Sequence, residues 1–231
     1  MMYPSEIQQF KVFQFESIDS TNTYALKKLT EIKTPFLVIA NQQTKGYGRR
    51  KRDYISPKEN GLYLTLAFPG EDKIDDLLTL KIAVALSNTL KQLVPEKITL
   101  KWVNDLIYDG KKVAGILAEK NSAGIVLGIG INLLEDKRTK EFGHLFEEIN
   151  NETKTIIIED LMRNFSDLKD SQIIPEYLRF SNLLNKKIEL KVGDQKITGV
   201  VTGFTNQGHI ILNDKNSYSS GEVVKVLNYE K

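Results

Sequence analysis

Residues 43–57 concentrate positive charge in a segment that is too polar to be buried, and they read QTKGYGRRKRDYISP. Five of the eight residues 45–52 are basic, and Gly46 and Gly48 allow a ligand to approach the backbone closely. Clustered arginine and lysine side chains can neutralise a nucleic-acid backbone or enclose a small phosphate ligand. A solvated loop without a ligand is the third interpretation.

The basic loop connects two segments, 36–41 and 62–68, whose apolar residues predict β-strands. Long loops without secondary structure are usually functional lids or disordered linkers. A linker between domains would not normally join two strands of one sheet. We therefore predict that residues 43–57 form a lid.

A second polar segment, Ser20-Thr21-Asn22, lies where the sequence predicts the start of a helix. Unpaired backbone amides and the helix dipole favour an anion or a polar ligand at such a position. Capping of the helix explains these residues as well, so both interpretations stay open here.

Lys112 follows a predicted hairpin turn and lies beside strands that contain Gly115, Gly128 and Gly130. Glycine weakens a strand, so its repeated use indicates that a ligand or another backbone approaches closely. Tight strand packing explains a single glycine equally well. We interpret the three together as the floor of a ligand site that Lys112 can reach.

The composition of the 231-residue chain excludes several other kinds of site. A formal net charge of +2 makes the charge of the basic loop local, whereas nucleic-acid binders usually carry a broad basic face. The chain has no cysteine and only two histidines, which excludes thiolate sites and makes histidine-based metal sites improbable. It shows neither a signal peptide nor a membrane-spanning segment, so we expect a cytoplasmic protein without membrane association.

The predicted elements divide the chain into two domains, 1–185 and 186–231. In the first domain, strands alternate with helices, which are predicted to begin at residue 21 and to span 75–93, 159–169 and 175–184. The second domain contains only short strands in which apolar and polar residues alternate. This pattern predicts an α+β fold: a mixed sheet with helices packed on it, followed by a small β-barrel.

Five motifs occur in the order that is typical of biotin protein ligases, and together they cover nearly the whole chain. They are Ser20-Thr21-Asn22, the basic loop, KWVNDL at 101–106, KKVAGILAE at 111–119 and GIGINL at 128–133. The resemblance implies a class II synthetase-like catalytic domain of the biotin/lipoate ligase type and a C-terminal SH3-like barrel. It also implies a monofunctional enzyme without the DNA-binding domain of the ligases that act as repressors.

Enzymes of this family join biotin to ATP, releasing pyrophosphate, and pass the biotinyl group from biotinyl-5'-AMP to a carrier lysine. The resemblance therefore implies a biotin–[acetyl-CoA-carboxylase] ligase, ATP-dependent and AMP-forming, whose partner is a biotin carboxyl carrier protein. Mg²⁺ is expected with ATP, while the metal ligands are not identified. DNA binding is not expected, and a homodimer is left open.

The motifs assign roles to residues of this chain. By this resemblance, Lys112 and Arg49 are the expected catalytic residues. The expected biotin-binding residues are Ser20, Thr21, Asn22, Gln43, Tyr47, Gly48, Arg49, Lys112 and Gly115. The expected ATP-binding residues are Arg49, Arg52, Lys112, Asn104, Asp105 and Asn132.

Four positions depart from the family motifs, which usually read GRGRxGRxW and KWPND. Tyr47 replaces an arginine, Lys51 a glycine, Tyr54 a tryptophan and Val103 a proline. One guanidinium and two backbone constraints therefore differ. We expect Tyr47 to act through its backbone only.

Two alternatives to a biotin ligase follow from the same residues. A lipoate ligase or lipoyl transferase has a related catalytic fold and also uses a lysine, but lacks the arginine-rich loop and the barrel. A non-catalytic nucleic-acid-binding module would use the basic loop, and its affinity would fall steeply with salt.

Overall fold

The computed structural model describes residues 3–71, 76–138 and 141–227. Eight strands form the first sheet: β1 Glu6–Ile7, β2 Phe10–Phe15, β3 Phe36–Ala40, β4 Gly61–Pro69, β5 Thr99–Lys101, β6 Asp105–Tyr108, β7 Lys111–Asn121 and β8 Gly124–Asn132. The helices are α1 Thr21–Lys28, α2 Asp76–Leu90, α3 Asn151–Asp167 and α4 Asp170–Phe180. A second sheet contains β9 Lys187–Val192, β10 Gln195–Phe204, β11 Ile210–Leu212, β12 Asn216–Tyr218 and β13 Glu222–Leu227.

The first sheet has the order β1-β2-β3-β4-β8-β7-β6-β5, and only β2 and β3 are parallel neighbours. Parallel neighbours need a crossover connection, and α1 supplies it. Because β2 and β3 are parallel, their carboxyl ends lie at the same end of the sheet. The segments that follow them, the start of α1 and the basic loop, therefore both begin there. This topology brings two polar segments together that are far apart in sequence.

Alternation along the strands separates two hydrophobic layers. Phe36 and Val38 face α1, where they join a small cluster with Ala25 and Leu29. Leu37 and Ile39 point to the opposite face and join the main core, which also contains the buried residues of α2, α3 and α4. The sheet is therefore covered on both faces, and β4, at its centre, is buried over most of its length.

The second sheet is antiparallel, with the order β12-β11-β10-β9-β13. The first part of β10 pairs with β9 and its last part with β11, with an irregular register between Val201 and Gly203. Its core is continuous with the main core, since Phe204 packs edge-on against Tyr177 of α4 at 5.0 Å. The indole of Trp102 donates to the Gly208 carbonyl at 3.1 Å.

These features confirm the predicted fold class, a mixed sheet with helices and a C-terminal antiparallel sheet. The division at residues 185 and 186 stays a prediction. Five helix boundaries differ from the sequence prediction: α2 ends at residue 90 and not at 93, α3 spans 151–167 and not 159–169, and α4 spans 170–180 and not 175–184. Residue 75, the predicted start of α2, lies outside the described ranges. No helix within these ranges is both long and apolar enough to cross a bilayer.

Two adjacent isoleucines of α3 test how much core packing contributes to stability. Ile157 is 0% exposed and Ile156 is 40% exposed. Replacing a buried isoleucine by alanine leaves a cavity, so Ile157→Ala is expected to lower the free energy of unfolding by about 2–5 kcal/mol in urea titrations. The matched Ile156→Ala is expected to change it by less than about 0.5 kcal/mol. Equal losses in the two variants would contradict this packing of α3.

Candidate active site

A cavity of about 340 Å³ opens between the basic loop, the start of α1, the strands β7 and β8, and the segment that begins β13. Its volume lies within the range of small-ligand sites. The predicted site residues that line it are Ser20, Thr21, Asn22, Gln43, Tyr47, Gly48, Arg49, Arg52, Asn104, Asp105, Lys112 and Gly115.

The start of α1 is joined to the basic loop by Gln43. The backbone amide and the hydroxyl of Thr21 both donate to Gln43 Oε1, at 2.9 and 3.1 Å. Gln43 Nε2 in turn donates to Ser56 Oγ at 2.9 Å. Ser20 caps the helix, with its hydroxyl accepting from the Thr23 amide. Capping thus accounts for Ser20, while the buried side chains that follow it face the cavity.

Three hydrogen bonds hold the Asn22 side chain in the wall of the cavity, and the longest runs from its Nδ2 to the Leu117 carbonyl at 3.4 Å. The Thr65 hydroxyl donates to Asn22 Oδ1 at 2.7 Å, and Asn22 Nδ2 donates to Glu119 Oε2 at 2.9 Å. These contacts fix the orientation of the side-chain amide, with Oδ1 toward Thr65 and Nδ2 toward Glu119. A hydrogen-bonded, buried amide is well suited to recognise a polar ligand group with a defined orientation.

The three strand glycines make room for side chains of the site. A Cβ at Gly128 would lie 2.3 Å from Asn22 Oδ1, and one at Gly130 would lie 2.6 Å from the Tyr54 ring. A Cβ at Gly115 would lie 3.2 Å from the Lys112 ammonium. The interpretation of a ligand floor is therefore corrected in part: the three glycines line the cavity, but the groups that approach them most closely are side chains of the protein itself.

Lys112 points into the cavity from the hairpin of β6 and β7. Its Nζ lies 2.6 Å from Asp105 Oδ1, and the two side chains are 31% and 25% exposed. Asp105 Oδ1 is buried and makes no directed hydrogen bond, so the contact is mainly one of charge. Asn104, which precedes it, donates through Nδ2 to the Ile116 carbonyl at 2.7 Å and so ties the β5–β6 turn to β7.

Residues of the second sheet hold the arginines of the loop. Glu222 accepts from Arg50 at 2.7 Å and from Arg52 at 3.1 Å, and Arg49 donates to the Gly221 carbonyl at 2.9 Å. The hydrogen bond from Arg52 keeps the pKa of Glu222 below its usual value. Burial lowers the pKa of Arg49. The sequence analysis did not identify Glu222, because nothing in its own surroundings indicates a contact so distant in the chain.

Asn132 does not line the cavity. Its Oδ1 accepts from the Tyr54 hydroxyl at 3.1 Å, and its Nδ2 donates to the Gly143 carbonyl at 3.2 Å. Burial raises the pKa of Tyr54, so this phenol stays a donor. Asn132 therefore contacts the site through Tyr54, and a direct contact with ATP stays a prediction.

Glu119 on β7 is a further residue that the sequence analysis did not identify. It accepts from Asn22 and also from the Tyr47 hydroxyl at 2.8 Å and Lys51 Nζ at 3.0 Å. The Tyr47 side chain thus has a partner of its own, contrary to the expectation that only its backbone matters. Its position in the strand could have indicated this role. Residues i, i+2 and i+4 of a strand share one face, and Glu119 follows the cavity residues Gly115 and Leu117 at this spacing.

The described ranges contain no cluster of three or more His, Asp or Glu side chains that could hold a metal ion. Mg²⁺ usually keeps several waters and binds through one or two carboxylates together with substrate phosphates. Asp105 presents a buried carboxylate oxygen at the cavity and fits such a role.

Comparison with known proteins agrees with this geometry. Residues 14–136 match the Biotin/lipoate A/B protein ligase family. The chain is 32% identical over 215 residues to the bifunctional ligase/repressor BirA of Escherichia coli (strain K12), covering 84% of this chain and 67% of that protein. It is 35% identical over 123 residues to a biotin–[acetyl-CoA-carboxylase] ligase of Paracoccus denitrificans, covering 50% and 51% of the two chains.

Among solved structures, the biotin protein ligase from Aquifex aeolicus in complex with biotin and ATP has the same fold. The TM-score is 0.75 at 24% sequence identity, and the match covers 91% of this chain and 96% of that chain. The chain therefore belongs to the biotin/lipoate A/B protein ligase family. Within that family it is a biotin protein ligase.

Gly128→Ala tests the contact between the strand floor and Asn22. A methyl group there collides with the Asn22 amide, so the variant is expected to lose about 1–3 kcal/mol of stability in urea unfolding. The matched control is Gly203→Ala, since a Cβ there would meet its nearest atom only at 4.0 Å. If Gly128→Ala were as stable as the control, the close packing of Asn22 on β8 would be wrong.

Proposed function

We propose that the cavity binds biotin and ATP side by side and catalyses both half-reactions of protein biotinylation. In the first, a carboxylate oxygen of biotin attacks the α-phosphorus of ATP. The new P–O bond forms as the bond to the bridging oxygen of the β-phosphate breaks, giving biotinyl-5'-AMP and pyrophosphate. In the second, the amine of an acceptor lysine attacks the biotinyl carbonyl carbon. AMP leaves and the amine loses a proton.

The placement of Lys112 carries this proposal. A carboxylate and a phosphate repel each other, so their approach requires a cation between them. Lys112 is the lysine of the cavity that reaches from the rigid hairpin toward the basic loop, and its present partner is another carboxylate, Asp105. A substrate carboxylate can take the place of Asp105 next to the ammonium.

Arg49 is the second cation assigned to the reacting groups. It lines the cavity, and its guanidinium contacts Asn104 and the Gly221 carbonyl. A guanidinium presents several donors in a fixed fork that matches phosphate oxygens. We assign Arg49 and Arg52 to the phosphates of ATP, with charge developing on these oxygens in the transition state.

The polar end of the cavity favours biotin over lipoate. Thr21, Asn22 and Gln43 offer donors and acceptors at a largely buried surface. The ureido ring of biotin can satisfy such groups, whereas the dithiolane ring of lipoate has no comparable hydrogen-bonding groups. Lipoate would form no hydrogen bonds with this surface, so we expect it to bind more weakly than biotin.

ATP brings its usual Mg²⁺, which neutralises phosphate charge and polarises the phosphoryl group. Asp105, whose Oδ1 is buried and faces the cavity, would hold it once Lys112 has turned to the substrate. The proposed acceptor is a biotin carboxyl carrier protein of acetyl-CoA carboxylase, the substrate that the name of the Paracoccus relative implies. The cytoplasmic location and the absence of DNA binding stay predictions.

Lys112→Ala is expected to remain folded and to lower biotin-dependent ATP–pyrophosphate exchange by about 10²-fold or more, because the repulsion between the two anions is no longer screened. The matched control is Lys111→Ala, which removes the same charge from the neighbouring exposed side chain. Wild-type exchange in Lys112→Ala would overturn the role of this lysine.

Arg49→Ala is expected to weaken retention of the intermediate, because a charge-assisted contact to the phosphate is lost. The measured quantity is the rate at which biotinyl-AMP leaves the purified enzyme, and about a tenfold increase is expected from the loss of about 1.4 kcal/mol. Lys45→Ala is the control, since Lys45 belongs to the same loop but is exposed. A release rate that is unchanged in Arg49→Ala would contradict the assignment.

A further inference from the structure

Both oxygens of the Glu119 carboxylate accept hydrogen bonds from residues of two separate segments, the start of α1 and the basic loop. Oε2 accepts from Asn22 at 2.9 Å and from the Tyr47 hydroxyl at 2.8 Å, and Oε1 accepts from Lys51 Nζ at 3.0 Å. Lys51 Nζ also lies 3.7 Å from the centre of the Tyr47 ring, a cation–π contact. We refer to Glu119, Asn22, Tyr47 and Lys51 as the Glu119 cluster.

The cluster joins a rigid support to a loop. Glu119 lies on β7, inside the eight-stranded sheet, whereas Tyr47 and Lys51 belong to the basic loop. The Glu119 side chain is 20% exposed and that of Lys51 is 70% exposed, so the carboxylate is the fixed member of the pair. Burial disfavours its ionisation, but hydrogen bonds from Asn22, Lys51 and Tyr47 outweigh that effect and keep its pKa below the usual value.

Lys51 occupies a backbone conformation that favours glycine. Its φ is 56°, in the left-handed region, and the family motif has glycine at this position. A lysine here strains the backbone, and its side-chain contacts with Glu119 and Tyr47 can offset that strain. Tyr47 and Lys51, two of the four departures from the family motifs, thus contact each other directly.

We propose that Glu119 is a positioning residue that latches the basic loop through Lys51 and Tyr47 and, through the same carboxylate, orients the side-chain amide of Asn22. Closure of the loop and the shape of the polar end of the cavity are then coupled. The coupling to biotin rests on the proposed function, whereas the latch itself does not depend on any ligand.

Four variants test the latch. Lys51→Ala removes the cation, Lys51→Gly also restores the family residue and relieves the strain, Lys51→Arg keeps the charge, and Glu119→Gln keeps an acceptor for Asn22 without the charge. Lys45→Ala is the matched control, a loop lysine that is exposed and has no hydrogen bond or ion pair of its side chain among the described contacts.

The first readout is hydrogen exchange of loop residues 45–54 in the ligand-free chain. Lys51→Ala, Lys51→Gly and Glu119→Gln are expected to exchange about three- to tenfold faster than wild type, from the loss of an ion pair and a cation–π contact. Lys51→Arg and Lys45→Ala are expected to match wild type. Exchange that is equal in Lys51→Ala and Lys45→Ala would overturn the latch.

The second readout is the KM for biotin together with the release rate of biotinyl-AMP. Both quantities are expected to rise about three- to tenfold in Lys51→Ala and in Glu119→Gln, with kcat nearly unchanged. In the double variant that combines Lys51→Ala with Glu119→Gln, they are expected to rise no further than in the more affected single variant. Additive effects would overturn the coupling through Glu119. A wild-type chain that forms no biotinyl-AMP would contradict the proposed function, while the exchange result would still decide the latch.

Discussion

The ion pair between Lys112 and Asp105, 2.6 Å apart in a partly buried cavity, is the interaction on which the rest of the site depends. Before the substrates bind, the lysine proposed to hold two anions lies in the cavity without them. Burying an unpaired cation costs free energy. Asp105 supplies the missing charge. The same solution recurs around the loop, where Glu222 holds Arg50 and Arg52 and Glu119 holds Lys51. In the proposed function, an anionic substrate takes the place of carboxylates that already pair with these cations.

Strand order explains how such distant residues meet. Because β2 and β3 are parallel, the start of α1 and the basic loop follow strands that end on the same side of the sheet. The hairpin of β6 and β7 places Asp105 and Lys112 beside them. Gly128 and Gly130 on β8 leave the space that Asn22 and Tyr54 fill. The second sheet closes the remaining side with Gly221 and Glu222. These contributions come from the two sheets and the start of α1, and the basic loop completes the wall of the cavity.

Local patterns predicted most of the fold and most of the lining of the cavity, because periodicity, turn residues and motif order act over short distances. They placed each end of β3 and β4 within one residue. The start of α3 was wrong because residues 151–158 combine polar and apolar side chains, and only Asn150, whose side chain caps the helix at Thr153, marks its beginning. The start of α4 was also wrong, since it lies five residues before Pro175. The contact between Arg52 and Glu222 spans 170 residues and depends on how the two sheets pack, which no local pattern encodes.

The central claim is that the Lys112 ammonium leaves Asp105 and binds the activated acid. A crystal structure of the chain with biotin and a non-hydrolysable ATP analogue tests it most directly. The account predicts Lys112 Nζ within about 3 Å of both the biotin carboxylate and the α-phosphate, as for a charge-assisted hydrogen bond. It also predicts the ureido ring against Asn22 and Gln43. A complex in which Lys112 remains paired with Asp105 while both ligands bind out of its reach would contradict it.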